Sequence, residues 1–159
     1  MKKPKHSPEG VALRLLALRD HSRQELRQKL IAKDFPPAEV DEVLEHLVGK
    51  GYVDDPRYAR RLAAYLGRER MLGPRRIVQK LLQKGLSPDL VDESVAAGEA
   101  DFPTPERLGR LLQKKMGNRL SNPLSSEEMK KLGRFFFQRG FSWGDIQDIF
   151  HRRGGFTEE

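Results

Sequence analysis

The chain repeats itself. Displaced by 51 positions, Leu26 falls on Ile77, Leu30 on Leu81, Phe35 on Leu86, Pro37 on Pro88, Val40 on Val91 and Leu44 on Val95. A further displacement of 55 brings Ile77 onto Leu132, Leu81 onto Phe136, Gly85 onto Gly140, Leu86 onto Phe141, Val91 onto Ile146 and Val95 onto Phe150. A period of this length sets the architecture before any composition figure does. It marks a supersecondary unit of about 50 residues, which buries too little surface to be robust alone and must pack on its neighbours.

Each unit reads as three helices. In the first, Ala12, Leu15 and Leu16 share a face, so Glu9 to Arg19 is a helix. Ser22 and Glu25 form a capping box, in which the hydroxyl takes a backbone N–H and the carboxylate reaches back. The helix they open carries Leu26, Leu30 and Ile31, and Pro36-Pro37 stops it near Lys33. Val40, Val43, Leu44, Leu47 and Val48 then follow the i, i+3, i+4, i+7 spacing of a one-sided helix. In the second unit Asp55 is the expected N-cap with Pro56 at the first helical position. Tyr58, Ala59, Leu62, Ala63 and Leu66 form the buried face of that helix. Gly73-Pro74 opens a helix with Ile77, Val78, Leu81 and Leu82, and Ser87-Pro88 opens one with Leu90, Val91 and Val95. In the third unit Thr104-Pro105-Glu106 is read as the cap of a helix carrying Leu108, Leu111, Leu112 and Met116. GNRLSNPLS is a loop; Ser125 with Glu128 and Ser142 with Asp145 cap the last two helices. No period-two alternation marks a strand.

The recurring turn after the middle helix has a mechanism. Gly85 and Gly140 suit the left-handed conformation past a helix end, and Leu86 and Phe141 pack back on the last turn. The first unit has Asp34 there, which makes its turn costlier or differently shaped. The expected fold is all-α: three tandem three-helix repeats forming an elongated, curved solenoid of about nine helices. The expected divisions are a basic tail 1–8, repeats 9–53, 54–98 and 99–153, and a tail 154–159. Three separate helix-turn-helix domains are the rival arrangement; short turns between units favour stacking.

Charge narrows the function. The net charge is +7, and residues 51–86 supply nine Lys or Arg against Asp54, Asp55 and Glu69. Arg76, Lys80 and Lys84 are spaced i, i+4, i+8 and form one stripe beside the apolar face. Arg75 adjoins it, and Arg57, Arg60, Arg61 and Arg68 lie on the preceding helix; Arg107, Arg110, Lys114 and Lys115 form a second, weaker set. Such stripes meet phosphates or carboxylates, against the plain alternative of a solvated face. Residues 87–106 hold six acids and no Lys or Arg. Without cysteine there is neither a disulfide nor a thiolate metal site. No apolar run reaches the roughly 18 residues of a membrane span and the N-terminus lacks an apolar signal core, so a soluble, cytoplasmic protein is expected; a monomer is expected as a separate reading. No G-x-x-x-x-G-K-[ST] loop or H-E-x-x-H pair occurs, so no catalytic residue, metal or cofactor is assigned. Asp54-Asp55 before Pro56 is read as a helix start, and His21 as solvent-facing. Phe137 points off the buried face of its helix, and Trp143 is read chiefly as a packing residue.

Four stretches carry a resemblance: RDHS followed by QEL at 19–26, GYVDDPRYA at 51–59, GPRRIVQKLLQKGL at 73–86 and FFFQRGFSWGDIQDIF at 135–150. In this order, on a threefold helical repeat, the chain resembles RecX regulatory proteins over residues 9–153. The resemblance implies a non-enzymatic modulator that lies in the groove of the RecA–single-stranded DNA filament. It also implies inhibition of RecA ATP hydrolysis, strand exchange and co-protease activity, with contacts to single-stranded and possibly duplex DNA. On that reading Arg57, Arg60, Arg61, Arg68, Arg75, Arg76, Lys80, Lys84, Arg107, Arg110 and Lys114 are the expected interface. The rival class is a helix-turn-helix DNA-binding regulator acting without RecA.

Overall fold

The structure, a computed structural model, describes residues 7–153. Among them the chain forms nine α-helices and no strand. They are α1 (Pro8–Leu18), α2 (Arg23–Ile31), α3 (Pro37–Gly49), α4 (Asp55–Arg68), α5 (Pro74–Gln83), α6 (Pro88–Asp101), α7 (Thr104–Met116), α8 (Ser126–Gln138) and α9 (Trp143–His151). A short 3-10 turn (Gly117–Ser121) sits inside the stretch expected to be loop. The tails, apart from Ser7 and Pro8, lie outside the described residues.

Side-chain caps set most helix starts. Both halves of the box are made at Ser22–Glu25, Ser125–Glu128 and Ser142–Asp145. Two expected caps are corrected. Asp54, not Asp55, accepts the Arg57 N–H at 2.9 Å and caps α4. Asp55 is the first helical residue, and its carboxylate instead accepts the Arg23 N–H of α2. Thr104 is likewise inside α7, after Pro103, and its hydroxyl donates to Glu99.

Three separate apolar clusters, rather than one core, hold the units. The first centres on Leu26, Leu30, Val40 and Leu44, the second on Ala59, Ile77, Leu81 and Val91, the third on Leu108, Leu112, Phe136 and Ile146. Most periodic residues of the sequence are buried or half-buried in these clusters; Val48 and Leu82, expected on the buried faces of α3 and α5, are exposed instead, at the edge of their apolar stripes. Met71, from the second unit, packs against the third cluster and so links the two.

The turns after α2, α5 and α8 share one shape. Asp34, Gly85 and Gly140 have φ of 65°, 75° and 95°. Phe35 N–H reaches Leu30 O and Phe141 N–H reaches Phe136 O, the long bond of a Schellman cap. Asp34 therefore adopts the left-handed turn rather than a different one, and bears its cost. Asp34→Gly is expected to raise stability by about 0.5 kcal/mol, the left-handed penalty less the extra freedom of glycine when unfolded. A urea midpoint measured for Asp34→Gly and Asp34→Ala checks this; the alanine variant should fall below the parent.

These turns also join the units. The Gly73 and Arg75 N–H groups, unpaired donors at the start of α5, reach the Arg139 and Gly140 carbonyls at 2.8 and 3.2 Å. α5 has no side-chain cap; the third unit supplies one. At the other junction the Ser22 hydroxyl, at the start of α2, donates to the Lys84 carbonyl at the end of α5. The three middle helices thus meet end to end, α8 onto α5 and α5 onto α2.

Candidate functional site

The seam between the first two units is a dense polar junction. Glu25 accepts its own cap N–H from Ser22 at 3.0 Å, the Arg19 guanidinium at 3.0 Å and the Lys84 ammonium at 3.3 Å. His21, expected at the surface, is 3% exposed. Its Nδ1 lies 2.9 Å from the Arg19 carbonyl and Nε2 lies 2.9 Å from Lys29 Nζ. Nδ1 must donate to the carbonyl, so Nε2 is left to accept from Lys29. Tyr58 completes the junction through a 3.4 Å contact with Arg19, and burial with the Glu25 charge pushes its hydroxyl up to about 12.

This junction makes the seam sensitive to acid. Burial holds the His21 imidazole below its ordinary 6.5. Despite the opposing effect of burial, the hydrogen bonds from Arg19 and Ser22 and the Lys84 charge hold Glu25 down at about 2. Below pH 6.5 the unfolded chain binds a proton at His21 that the folded chain refuses, so stability falls. The stability carried by Glu25 is full above 4.5 and is lost as pH falls from 4.5 towards 2. Urea midpoints across pH should therefore decline in two windows. Glu25→Gln should flatten the lower one and His21→Asn the upper; an unchanged profile in either variant removes that group from the account.

The structure sorts the expected cations. Arg57, Arg60, Arg75 and Arg76 are exposed and Lys80 is half-buried. None of the five has a carboxylate within ion-pair distance among the described residues. Arg76 donates to Gln79 at 2.7 Å on its own helix, and Arg75 lies 5.2 Å from the Phe137 ring centroid. Phe137 in turn stacks on Trp143 at 5.2 Å, so both aromatics left open by the sequence find each other. Arg61 pairs with Asp20 and Lys84 with Glu25, both tying the second unit to the first. Arg68 pairs with Asp101 of the acidic helix. Arg110 rests 4.8 Å from the Phe102 ring, and Lys114 is exposed.

Arg107 does not belong with them. It is 1% exposed, bonded to Glu99 and to the Thr104 hydroxyl at 2.9 Å, with its Nε unpartnered. A buried guanidinium held by its own chain cannot reach a partner, so it is withdrawn from the interface. The acidic stretch 87–106 supplies the carboxylates for Arg68 and Arg107.

The residues missed by sequence reasoning are those of the second seam. Arg139 donates to the Arg70 carbonyl and, at 3.4 Å, to that of Met71. Gly73 and Gly140 touch backbone to backbone: a Cβ on Gly73 would lie 2.3 Å from the Gly140 carbonyl carbon. The Gly73-Pro74 motif was legible as a helix start, but nothing local announces its partner. Among the described residues no group of three His, Cys, Asp or Glu is placed to hold a metal ion, and no helix is long and apolar enough to cross a membrane.

Comparison with known proteins matches the units one by one. The first, second and third three-helix domains of RecX match residues 10–47, 54–95 and 105–150. Regulatory protein RecX of Cronobacter sakazakii is 37% identical, the match covering 87% of each chain. That of Escherichia coli is 37% identical over 87% of this chain and 86% of its own. That of Trichlorobacter lovleyi is 30% identical over 89% and 92%. The crystal structure of RecX from Lactobacillus salivarius superposes with a TM-score of 0.79 at 22% identity, covering 92% of this chain and 94% of that one. Three domains in order, matched across both seams in sequence and in fold, leave one assignment: the chain belongs to the RecX family of regulatory proteins.

Proposed function

We propose that this chain binds the RecA filament on single-stranded DNA, lies along its groove and restrains its ATP hydrolysis, strand exchange and co-protease activity. The observation that carries the reading is the second unit. Arg57, Arg60, Arg75, Arg76 and Lys80 stand on α4 and α5 with no carboxylate partner among the described residues, while Arg61 and Lys84 are paired across the first seam and Arg68 with Asp101 of α6. A rigid cationic surface of this kind suits a polyanionic or acidic helical polymer. Arg110 and Lys114 extend the proposed surface to the third unit, and Arg61, Arg68 and Lys84 contribute by fixing it. Three units on one chain engage successive protomers at high effective concentration, so a single copy suffices.

The test is DNA-dependent ATP hydrolysis by RecA with this protein added below one copy per protomer. Hydrolysis should fall. Replacing Arg60, Arg76 and Lys80 by alanine should weaken filament binding about tenfold, roughly 1.4 kcal/mol, with far-ultraviolet circular dichroism unchanged. Hydrolysis indifferent to the parent protein rejects the inhibitory reading, and parent-like affinity in the triple variant moves the interface elsewhere.

A further inference from the structure

The seam between the second and third units opens into a cleft of about 320 Å³. Arg70 reaches it from the turn after α4, Lys114 and Lys115 from the last turn of α7, and Arg139 from the end of α8. Among the described residues Glu69 is the one carboxylate on its wall. None of the four cations has a carboxylate within ion-pair distance among the described residues. Arg139, anchored on the Arg70 and Met71 carbonyls, lines the cleft together with Arg70. Burial, and then the Arg70 charge, hold its guanidinium below the ordinary arginine range. The Phe135 ring is already covered, with Lys115 Nζ at 4.3 Å and the Arg139 guanidinium at 5.5 Å from its centroid. The wall therefore offers charge and N–H donors but no free aromatic face for a base.

Like charges gathered in a concave seam repel one another, and the arrangement is relieved by an anion between them. We propose that this cleft is a phosphate-binding site. Guanidinium and ammonium donors converge on it from two units, which suits the several oxygens of a phosphate. The contact is independent of base sequence, because no base edge or ring is read. Occupancy also has a mechanical consequence. Arg70 belongs to the second unit and Lys114, Lys115 and Arg139 to the third, so a phosphate held between them clamps the seam that the Gly73 and Arg75 amides already bridge.

The cleft goes beyond the filament reading and is tested without RecA. The full chain is titrated with fluorescein-labelled oligo(dT) and with pyrophosphate, against Lys114→Ala/Lys115→Ala and a remote control, Lys50→Ala. Both lysines are exposed, and circular dichroism confirms the fold of the double variant. The expected result is oligo(dT) binding about tenfold weaker in the double variant, with the slope of log K against log salt reduced by about 1.4, two contacts at roughly 0.7 each. Hydrogen exchange at the Gly73 and Arg75 amides should slow on binding in the parent and not in the variant. Pyrophosphate that gives this protection, while oligo(dT) affinity ignores the lysines, upholds the phosphate site and assigns it to a free polyphosphate. Parent-like affinity, slope and protection in the double variant, or protection by neither probe, overturns the proposal. ATP hydrolysis by the RecA filament is read separately, with the parent and with the Arg60→Ala/Arg76→Ala/Lys80→Ala variant, none of whose residues lines the cleft, so loss of inhibition with an intact cleft, or the reverse, tells which of the two readings has failed.

Discussion

Replacing Gly140 by alanine is expected to cost about 3 kcal/mol and to loosen the third unit from the second before either loses its helices. Two effects add. Gly140 has φ of 95°, where an L side chain is strained by roughly 1–3 kcal/mol. A Cβ there would also lie 2.4 Å from Arg76 Cβ and 2.5 Å from Arg76 N, both fixed at the start of α5. The only relief is to move the turn away, which breaks the Gly73 N–H to Arg139 and Arg75 N–H to Gly140 bonds. Gly117→Ala separates the terms, since Gly117 has φ of 53° and nothing within 4 Å of its would-be Cβ. It should show the backbone strain alone, about 1–2 kcal/mol. Trp143 is the sole tryptophan and belongs to the third unit, so its fluorescence reports that unit while far-ultraviolet circular dichroism reports all three. In the Gly140→Ala variant the fluorescence transition should precede the circular dichroism transition in urea. Coincident transitions at the parent midpoint would show that the seam does not depend on this contact.

The fold was legible because it is written locally. Capping boxes at Ser22, Ser125 and Ser142, prolines in first turns and one-sided apolar stripes each depend on a few neighbouring residues, and the structure realises them. Where two acids adjoin, as at Asp54-Asp55, the local rule cannot say which one caps; that is decided by Arg23, 32 residues away, which takes the second. The seams were illegible for the same reason. Burial of His21 depends on Lys29 and the Arg19 carbonyl, and nothing in RDHS distinguishes a surface imidazole from one closing a junction. For Arg107 a signal did exist. Gly67 interrupts a helix of good formers, and a Cβ there would sit 2.8 Å from the Arg107 guanidinium. An unneeded glycine in a helix interior marks a close approach, here of a buried cation. The cations of α4 and α5 could be sorted only by knowing which acids the fold brings to them. Asp20, Glu25 and Asp101 take Arg61, Lys84 and Arg68 and leave the others.

Removing Glu99 should be nearly as damaging as Gly140→Ala, for an electrostatic reason. The Arg107 guanidinium is 1% exposed while the Glu99 carboxylate keeps 31% of its surface. The arginine thus carries most of the desolvation, and Glu99 and Thr104 are its counterweight across the bend from α6 to α7. Breaking a buried pair by deleting one partner costs about 3–5 kcal/mol, and the partial exposure of Glu99 places Glu99→Ala near the low end, about 3 kcal/mol. Glu99→Ala also removes the acceptor of the Thr104 N–H and hydroxyl, loosening the first turn of α7. Arg107→Met should cost less, about 1–2 kcal/mol, because the carboxylate it abandons still has water and Thr104. The double variant Glu99→Ala/Arg107→Met should be more stable than the sum of the two losses, by at least 1 kcal/mol, since no charge is left buried. Urea denaturation of the four proteins closes the cycle. Additive losses would mean that the two side chains stabilise the bend independently, and that the pair is not what fixes the third unit against α4.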